Sequence, residues 1–179
     1  LNYSARFHGA IPADVRPRVI ASSEAGNACL FGLASATGET LHYWGAWQGV
    51  IHLPPTNVFS AVCLSPDGLT VAGHMRTNGH SVAARWTLAK GVERIGPLDR
   101  ESSIGGIAFD GSVLGGETWL PSDPANTEPM IWKSDGTGHR LRELVPSLTR
   151  GAIDARNVFG MSQDGRAVGL HNGIEGHII

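Results

Sequence analysis

His74 and His80 stand six residues apart across Thr77-Asn78-Gly79, and His171 and His177 repeat that spacing. A hairpin that set such a pair opposite each other, about 5 Å apart at Cβ, would offer two imidazoles to a transition metal. No Cys or carboxylate is spaced to complete either pair, so exposed hairpin histidines are the expectation and neither a metal nor any other cofactor is predicted. Asp67, Asp110 and Asp164 each precede a glycine. They lack the alternating oxygen ligands of a calcium loop, and a turn-forming Asp accounts for all three. Ser134-Asp135-Gly136-Thr137-Gly138 is a further hairpin turn. There is no Gly-x-Ser-x-Gly elbow and no Gly-rich phosphate loop. Glu117, beside Gly116 at the end of a strand, is the first candidate for a carboxylate pair of the glycoside-hydrolysing kind.

The elements that must position these residues recur along the chain. Shifting the sequence by 42 positions lays Gly26 on Gly68, Trp44 on Trp86 and Gly49-Val50 on Gly91-Val92. Gly68 then matches Gly111, Trp86 matches Trp132, and Asn157 opens a fourth copy. The second copy reads most clearly. Val58 to Ser65 predicts a strand, and Ser65-Pro66-Asp67-Gly68 a tight turn. Leu69 to Met75 predicts a second strand, closed by Asn78-Gly79, the strongest short hairpin signal. Ser81 to Thr87 predicts a third, with Val82, Ala84 and Trp86 alternating onto one face. Val92 to Gly96 predicts a fourth. Four antiparallel strands per repeat of this length describe a β-propeller blade.

Small residues collect on the first two strands of each repeat (Ala72-Gly73, Gly105-Gly106, Gly115-Gly116, Val168-Gly169), and large aromatics on the third. That gradient suits a wedge-shaped blade, and it makes Trp44, Trp86 and Trp132 inter-blade core. Residues 139–150 have some helical spacing, interrupted by Pro146, and predict one helical turn in a connector. The expected organisation is an irregular lead-in or outer strand over 1–18 and a repeat domain over 19–179. Its repeats lie near 19–56, 57–99, 100–145 and 157–179, the last incomplete. By register with Glu128 to Trp132, the fourth Trp would fall two residues past Ile179, which reads as a piece of a longer propeller. The alternative fold is a β-trefoil, against which the fourth repeat start argues.

Only 17% of the 179 residues are charged and the net charge is −2, so the clustered Lys and Arg of a nucleic-acid or anionic-membrane surface are missing. No run is long and apolar enough to span a membrane as a helix. Cys29 and Cys63 lie in neighbouring repeats. Two small buried hydrophobes are the simple expectation, and a single bridge in an oxidising compartment the alternative.

Leu64-Ser65-Pro66-Asp67-Gly68, Val71-Ala72-Gly73, Trp86 and Lys90-Gly91-Val92-Glu93-Arg94-Ile95-Gly96 together resemble the HAF-type repeat of bacterial exported and autotransporter-like proteins. Phe109-Asp110-Gly111, Gly115-Gly116 and Trp132 match in the third copy, and Met161-Ser162-Gln163-Asp164-Gly165 in the fourth. The His-Ala-Phe tripeptide is replaced by Val82-Ala83-Ala84 and Glu128-Pro129-Met130, and only His177-Ile178-Ile179 keeps its His. Ser-Pro-Asp-Gly also occurs in WD40-like and TolB-like blades. The resemblance implies an exported module, extracellular or on the cell surface (periplasmic in the alternative), with no chemistry of its own.

By strand parity, loops 74–80, 117–129, 145–157 and 171–177 share one edge of the blades. Loops of varying length on a rigid scaffold are where binding resides. Trp119, in the polar, Pro-rich segment 117–129, either stands exposed and supplies aromatic area or tucks with its loop over its own blade, and Glu117, Arg76, His74 and His171 are expected to supply charge and hydrogen bonds. The function expected is non-catalytic binding of a carbohydrate or protein ligand, or scaffolding among neighbouring modules of a longer chain. The alternative is a propeller-type enzyme acting on polysaccharide.

Overall fold

The computed structural model describes residues 15–36, 38–55, 57–120, 123–145, 157–171 and 176–179, without the side chains of 123–125 and 157. Most of the predicted lead-in, the connector 146–156 and the hairpin tip 172–175 lie outside those residues. The fold is all-β and propeller-like, built from antiparallel sheets in sequential strand order. Blade 1 comprises β1 (Arg16–Ser22), β2 (Ala28–Ser35), β3 (Gly38–Gly45) and β4 (Gly49–His52). Blade 2 comprises β5 (Phe59–Leu64), β6 (Thr70–Thr77), β7 (His80–Thr87) and β8 (Gly91–Arg94). Blade 3 comprises β9 (Ser102–Ile107), β10 (Val113–Leu120), β11 (Asp123–Lys133) and β12 (Gly138–Arg140), followed by the single helical turn α1 (Leu141–Leu144). Blade 4 has β13 (Asn157–Met161), β14 (Val168–His171) and β15 (Gly176–Ile178).

Turn chemistry sets the start of every blade. Ser23, Ser65 and Ser162 accept with Oγ the amide of the residue five further on, Ala28, Thr70 and Ala167. Asp67 and Asp164 fold back to accept from Ser65 and Ser162, and Gly26, Gly68, Gly111 and Gly165 take the positive φ that closes each turn. The turns are also laced together. The Glu24 amide donates to the Pro66 carbonyl, Asp67 to Phe109, and Phe109 to Gln163. Pro66 has no N–H, which is why the second of these bonds starts one residue later. The Gln163 amide group then reaches the Glu24 carboxylate, joining the turns of blades 4 and 1.

Each blade turns a rear face to its predecessor and a front face to its successor. Tyr43, Leu30 and Leu41 on the front of blade 1 pack with Val71, Ala84 and Trp86 on the rear of blade 2. Ala72, Ala83 and Cys63 meet Ile104, Leu114 and Trp132 in the same way, and Ile131 and Val113 meet Val158, Val168 and Leu170. Trp44, Trp86 and Trp132 hold one register position, opposite Cys29, Val71 and Leu114. Trp86 is 6% and Trp132 1% exposed, but Trp44, on the rear of the first blade, is only half-buried. Near the axis the first strands come close enough that a Cβ on Gly105 would stand 1.7 Å from the Val158 carbonyl oxygen.

Two expectations are corrected. Ile179 exchanges backbone hydrogen bonds with Val168 and so fills the Trp position of the fourth blade; the register count from Trp132 overshot because the hairpin of blade 3 is longer. The described residues of 117–129 lie on strands and not in a loop: β10 runs to Leu120 and β11 starts at Asp123, with a bulge beside Trp119. Both cysteines are free, and burial pushes the Cys63 thiol up to about 12.

Truncating Trp86 or Trp132 to Ala should lower the unfolding free energy by about 3–5 kcal/mol. Trp44→Ala should cost clearly less in the same urea titration, because no blade covers its outer side among the described residues. Equal losses at all three positions would contradict the packing order.

Candidate functional site

Register brings the five candidate residues onto two positions of the second strands. Counted from the Cys29, Val71, Leu114 and Val168 positions, His74, Glu117 and His171 are equivalent, and blade 1 carries Gly32 there. Two residues further on, Arg76 and Trp119 are equivalent. All five stand on front faces at the hairpin edge, opposite the Asp-Gly turns. Their strand-one partners are polar as well: Ser60 faces His74, Ser103 faces Glu117 and Asn157 faces His171.

The glycine of blade 1 does not leave that position apolar. The Glu39 carboxylate reaches over from β3 to where a Gly32 side chain would stand, and holds Arg18 at 2.9 Å. Each blade therefore delivers a titratable group to the same place, in the order Glu39, His74, Glu117, His171. The sequence reading missed Glu39, because its side chain crosses from the neighbouring strand to serve a position whose own residue is glycine.

Local bonds fix these groups. The Glu117 Oε1 accepts from the Ser103 hydroxyl at 2.9 Å. The Thr118 hydroxyl and the Trp119 amide both donate to the Glu101 carbonyl, tying the end of β10 to the entry of β9. His74 Nε2 accepts the Ile104 amide of the next blade at 3.2 Å, so its proton resides on Nδ1. Burial lowers the His74 pKa, since the charged ring would lose solvation and its acceptor nitrogen together. Arg76 is exposed, and Trp119 is half-buried on a strand and not in a loop. His171 meets the Phe159 ring edge-on at 6.4 Å between centroids.

The two histidine pairs do not face each other. Asn78-Gly79 is a two-residue turn, so Thr77 pairs with His80 and His74 with Ala83; His171 pairs with Gly176 and His177 with Leu170. A different pair meets instead. His42 and His52 are register partners across β3 and β4, with ring centroids 4.8 Å apart, and the signal for them was their symmetry about Trp47 at the turn. Burial, then the neighbouring His52, lowers the His42 pKa. Among the described residues no three His, Cys, Asp or Glu side chains gather around a common centre. The turn carboxylates are engaged by their own turns, Asp110 by the Ser112 amide and Asp164 by Ser162 and Arg166. On that opposite edge a groove of about 570 Å³ runs between Leu69, Arg85, Leu88, Lys90 and Asp110.

No protein-family model matches the sequence. No curated protein sequence matches it either. Solved structures do share the fold. TolB from Acinetobacter baumannii superposes with a TM-score of 0.57 at 12% identity, over 92% of this chain and 40% of that one. The TolB candidate from Agrobacterium tumefaciens gives 0.54 at 17%, over 92% of this chain and 57% of that one. An uncharacterized protein from Listeria monocytogenes gives 0.52 at 9%, over 95% of this chain and 55% of that one. The chain thus spans about half the length of the structures it resembles, and the likeness is one of fold.

Because the folded His74 pKa lies below its ordinary value of 6.5, its contribution to stability is complete above that value and is lost as pH falls from there toward the lowered one. His42 acts with the same sign. His74→Gln, which can still accept from the Ile104 amide, should flatten the loss of stability measured by denaturant titration between about pH 7.5 and pH 5. An unchanged pH slope would remove His74 from the account.

Proposed function

We propose that this chain is a non-catalytic, exported binding or scaffold module of the propeller type, extracellular or at the cell surface, with the periplasm as the alternative site. Its ligand side is the hairpin edge. The observation that carries this reading is the contrast between the two edges. At the turn edge closely related chemistry returns: a Ser hydroxyl bond in blades 1, 2 and 4, an Asp-Gly step in blades 2, 3 and 4, and a positive-φ glycine in all four. At the hairpin edge one position receives the Glu39 carboxylate over Gly32, then His74, Glu117 and His171 in the later blades, and two residues further on stand Arg76 and Trp119. A rigid repeat frame whose variation is concentrated at one edge is how propeller-like scaffolds specialise for recognition. The mixture of donors, acceptors and one aromatic suits a carbohydrate or a polar protein surface. The motif likeness to HAF-type repeats of exported, autotransporter-like proteins supports the exported setting, and neighbouring modules of a longer chain are further partners in this reading.

The alternative, an enzyme acting on polysaccharide, needs two carboxylates flanking one bond. Glu39 and Glu117 are the two candidates at this edge. Glu39 is held by Arg18 and Glu117 by Ser103, which favours binding over catalysis.

Glycan-array and pull-down measurements on wild type, Arg76→Ala, Glu117→Gln and Trp119→Ala decide between the edges. The expected outcome is a loss of about tenfold or more in affinity for Trp119→Ala, with smaller losses for the other two. Binding that survives all three, or that maps to Asp67, Asp110 and Asp164, places the ligand on the turn edge. Glycan hydrolysis abolished by Glu117→Gln would favour the enzyme.

A further inference from the structure

The indole N–H of Trp132 is a buried donor that meets no acceptor among the described residues. A buried indole ordinarily finds a hydrogen-bond partner. Its six-membered ring packs over Gly116, where a Cβ would stand 2.8 Å from Cζ3. Its pyrrole edge stands against Gly138, where a Cβ would lie 2.9 Å from both Cδ1 and Nε1. Trp132 and Gly138 line a cavity of about 380 Å³ at the outer side of the joint between blades 2 and 3, with Arg94, Arg100 and Arg140 around it. Each guanidinium is anchored through part of its fork. Arg94 Nη1 donates to the Gly96 carbonyl at 2.6 Å, and Arg100 holds Asp99 through Nε and Nη2. Arg140 Nε lies 3.2 Å from Glu128 and 3.9 Å from Glu143. Nη2 of Arg94, Nη1 of Arg100 and both Nη of Arg140 meet no protein acceptor among the described residues. The one carboxylate in the cavity wall is Glu128, 7% exposed, which Arg142 also holds at 2.8 Å.

We propose that this cavity binds a carboxylated sugar, a uronate unit. Guanidinium and indole groups are donors only, so the ligand must bring acceptors, and a carboxylate matches the guanidinium fork. Glu128 decides against a bare oxyanion such as sulfate, which would face it with acceptors alone. Its oxygens have lone pairs beyond the two arginine contacts and can accept from sugar hydroxyls. Pro97 and Met130, also in the wall, offer apolar surface to the sugar ring. An acidic peptide side chain has the carboxylate but lacks those hydroxyls. The volume is near the small end for ligand sites, which suits a single sugar unit. The cavity lies on the rear of blade 3, away from the front-face residues Glu117 and Trp119, and its binding does not depend on theirs.

NMR of the indole N–H signals tests it. Each of the five tryptophans gives one such signal, and Trp132→Phe identifies the one at stake. Glucuronate should shift that signal, whereas glucose and sulfate at the same concentration should not. Calorimetry should show the glucuronate affinity falling about tenfold or more in Arg94→Gln and in Arg100→Gln, with circular dichroism confirming the β fold of each. Trp119→Ala should leave that affinity unchanged, which separates this site from the hairpin edge. No binding of glucuronate overturns the proposal. So does a shift that sulfate reproduces, which would mean an oxyanion site, or binding of oligoglutamate in place of glucuronate, which would mean an acidic peptide. An affinity indifferent to both arginine variants overturns it as well.

Discussion

Tyr43 lies against Trp86 with ring centroids 5.3 Å apart, and its hydroxyl donates to the Gly68 carbonyl at 2.8 Å, so one side chain locks two blades by both its ring and its polar tip. The joint matters because a four-stranded sheet this small has two faces to cover and cannot bury either by itself. Each blade is stable only between neighbours, and its hydrophobic clusters accordingly straddle blades instead of lying within them. Everything at the hairpin edge inherits its position from these joints. His74 is the direct case, since its acceptor nitrogen is fixed by an amide belonging to the next blade.

Wide side chains on the third strands demand narrow ones near the axis. The glycines at 105 and 106 are required by the backbone of β13, and any side chain there would force blades 3 and 4 apart. The turn-to-turn hydrogen bonds complete the inner end. They align the blades along the axis as well as around it, and the Pro66 irregularity shows that the chain keeps the bond even when the usual donor is missing.

Much of this was legible in the sequence, because turn chemistry and aromatic spacing are local signals. Asp67-Gly68 and Asn78-Gly79 specify their own geometry, and Trp86 declares its strand. What escaped depends on partners distant in the chain. Residues 117–129 looked like a loop because Pro121, Pro124 and Pro129 crowd it, yet β12 pairs only with Met130 to Trp132. Beyond that point β11 is an edge strand, where proline is tolerated. The histidine pairs were misread because a spacing of six matches no pairing about a two-residue turn. His42 and His52, symmetric about Trp47, were the pair that the turn selects. At the candidate site the sequence names residues but not their equivalence, which only strand register reveals.

Arg85 occupies the position that Tyr43 and Ile131 hold in the adjoining blades, and it is just as buried. Its guanidinium binds Glu93 within its own blade and the Ser134 carbonyl in the next. An apolar joint accepts a neighbour by shape alone, but this one also needs a main-chain carbonyl standing within reach of the guanidinium. A neighbour whose turn stood out of reach would leave Glu93 as the partner of that buried cation and remove its bond across the joint. The joint of blades 2 and 3 is thereby directional as well as apolar: the turn must stand where the guanidinium reaches it, which resists sliding of one blade over the other.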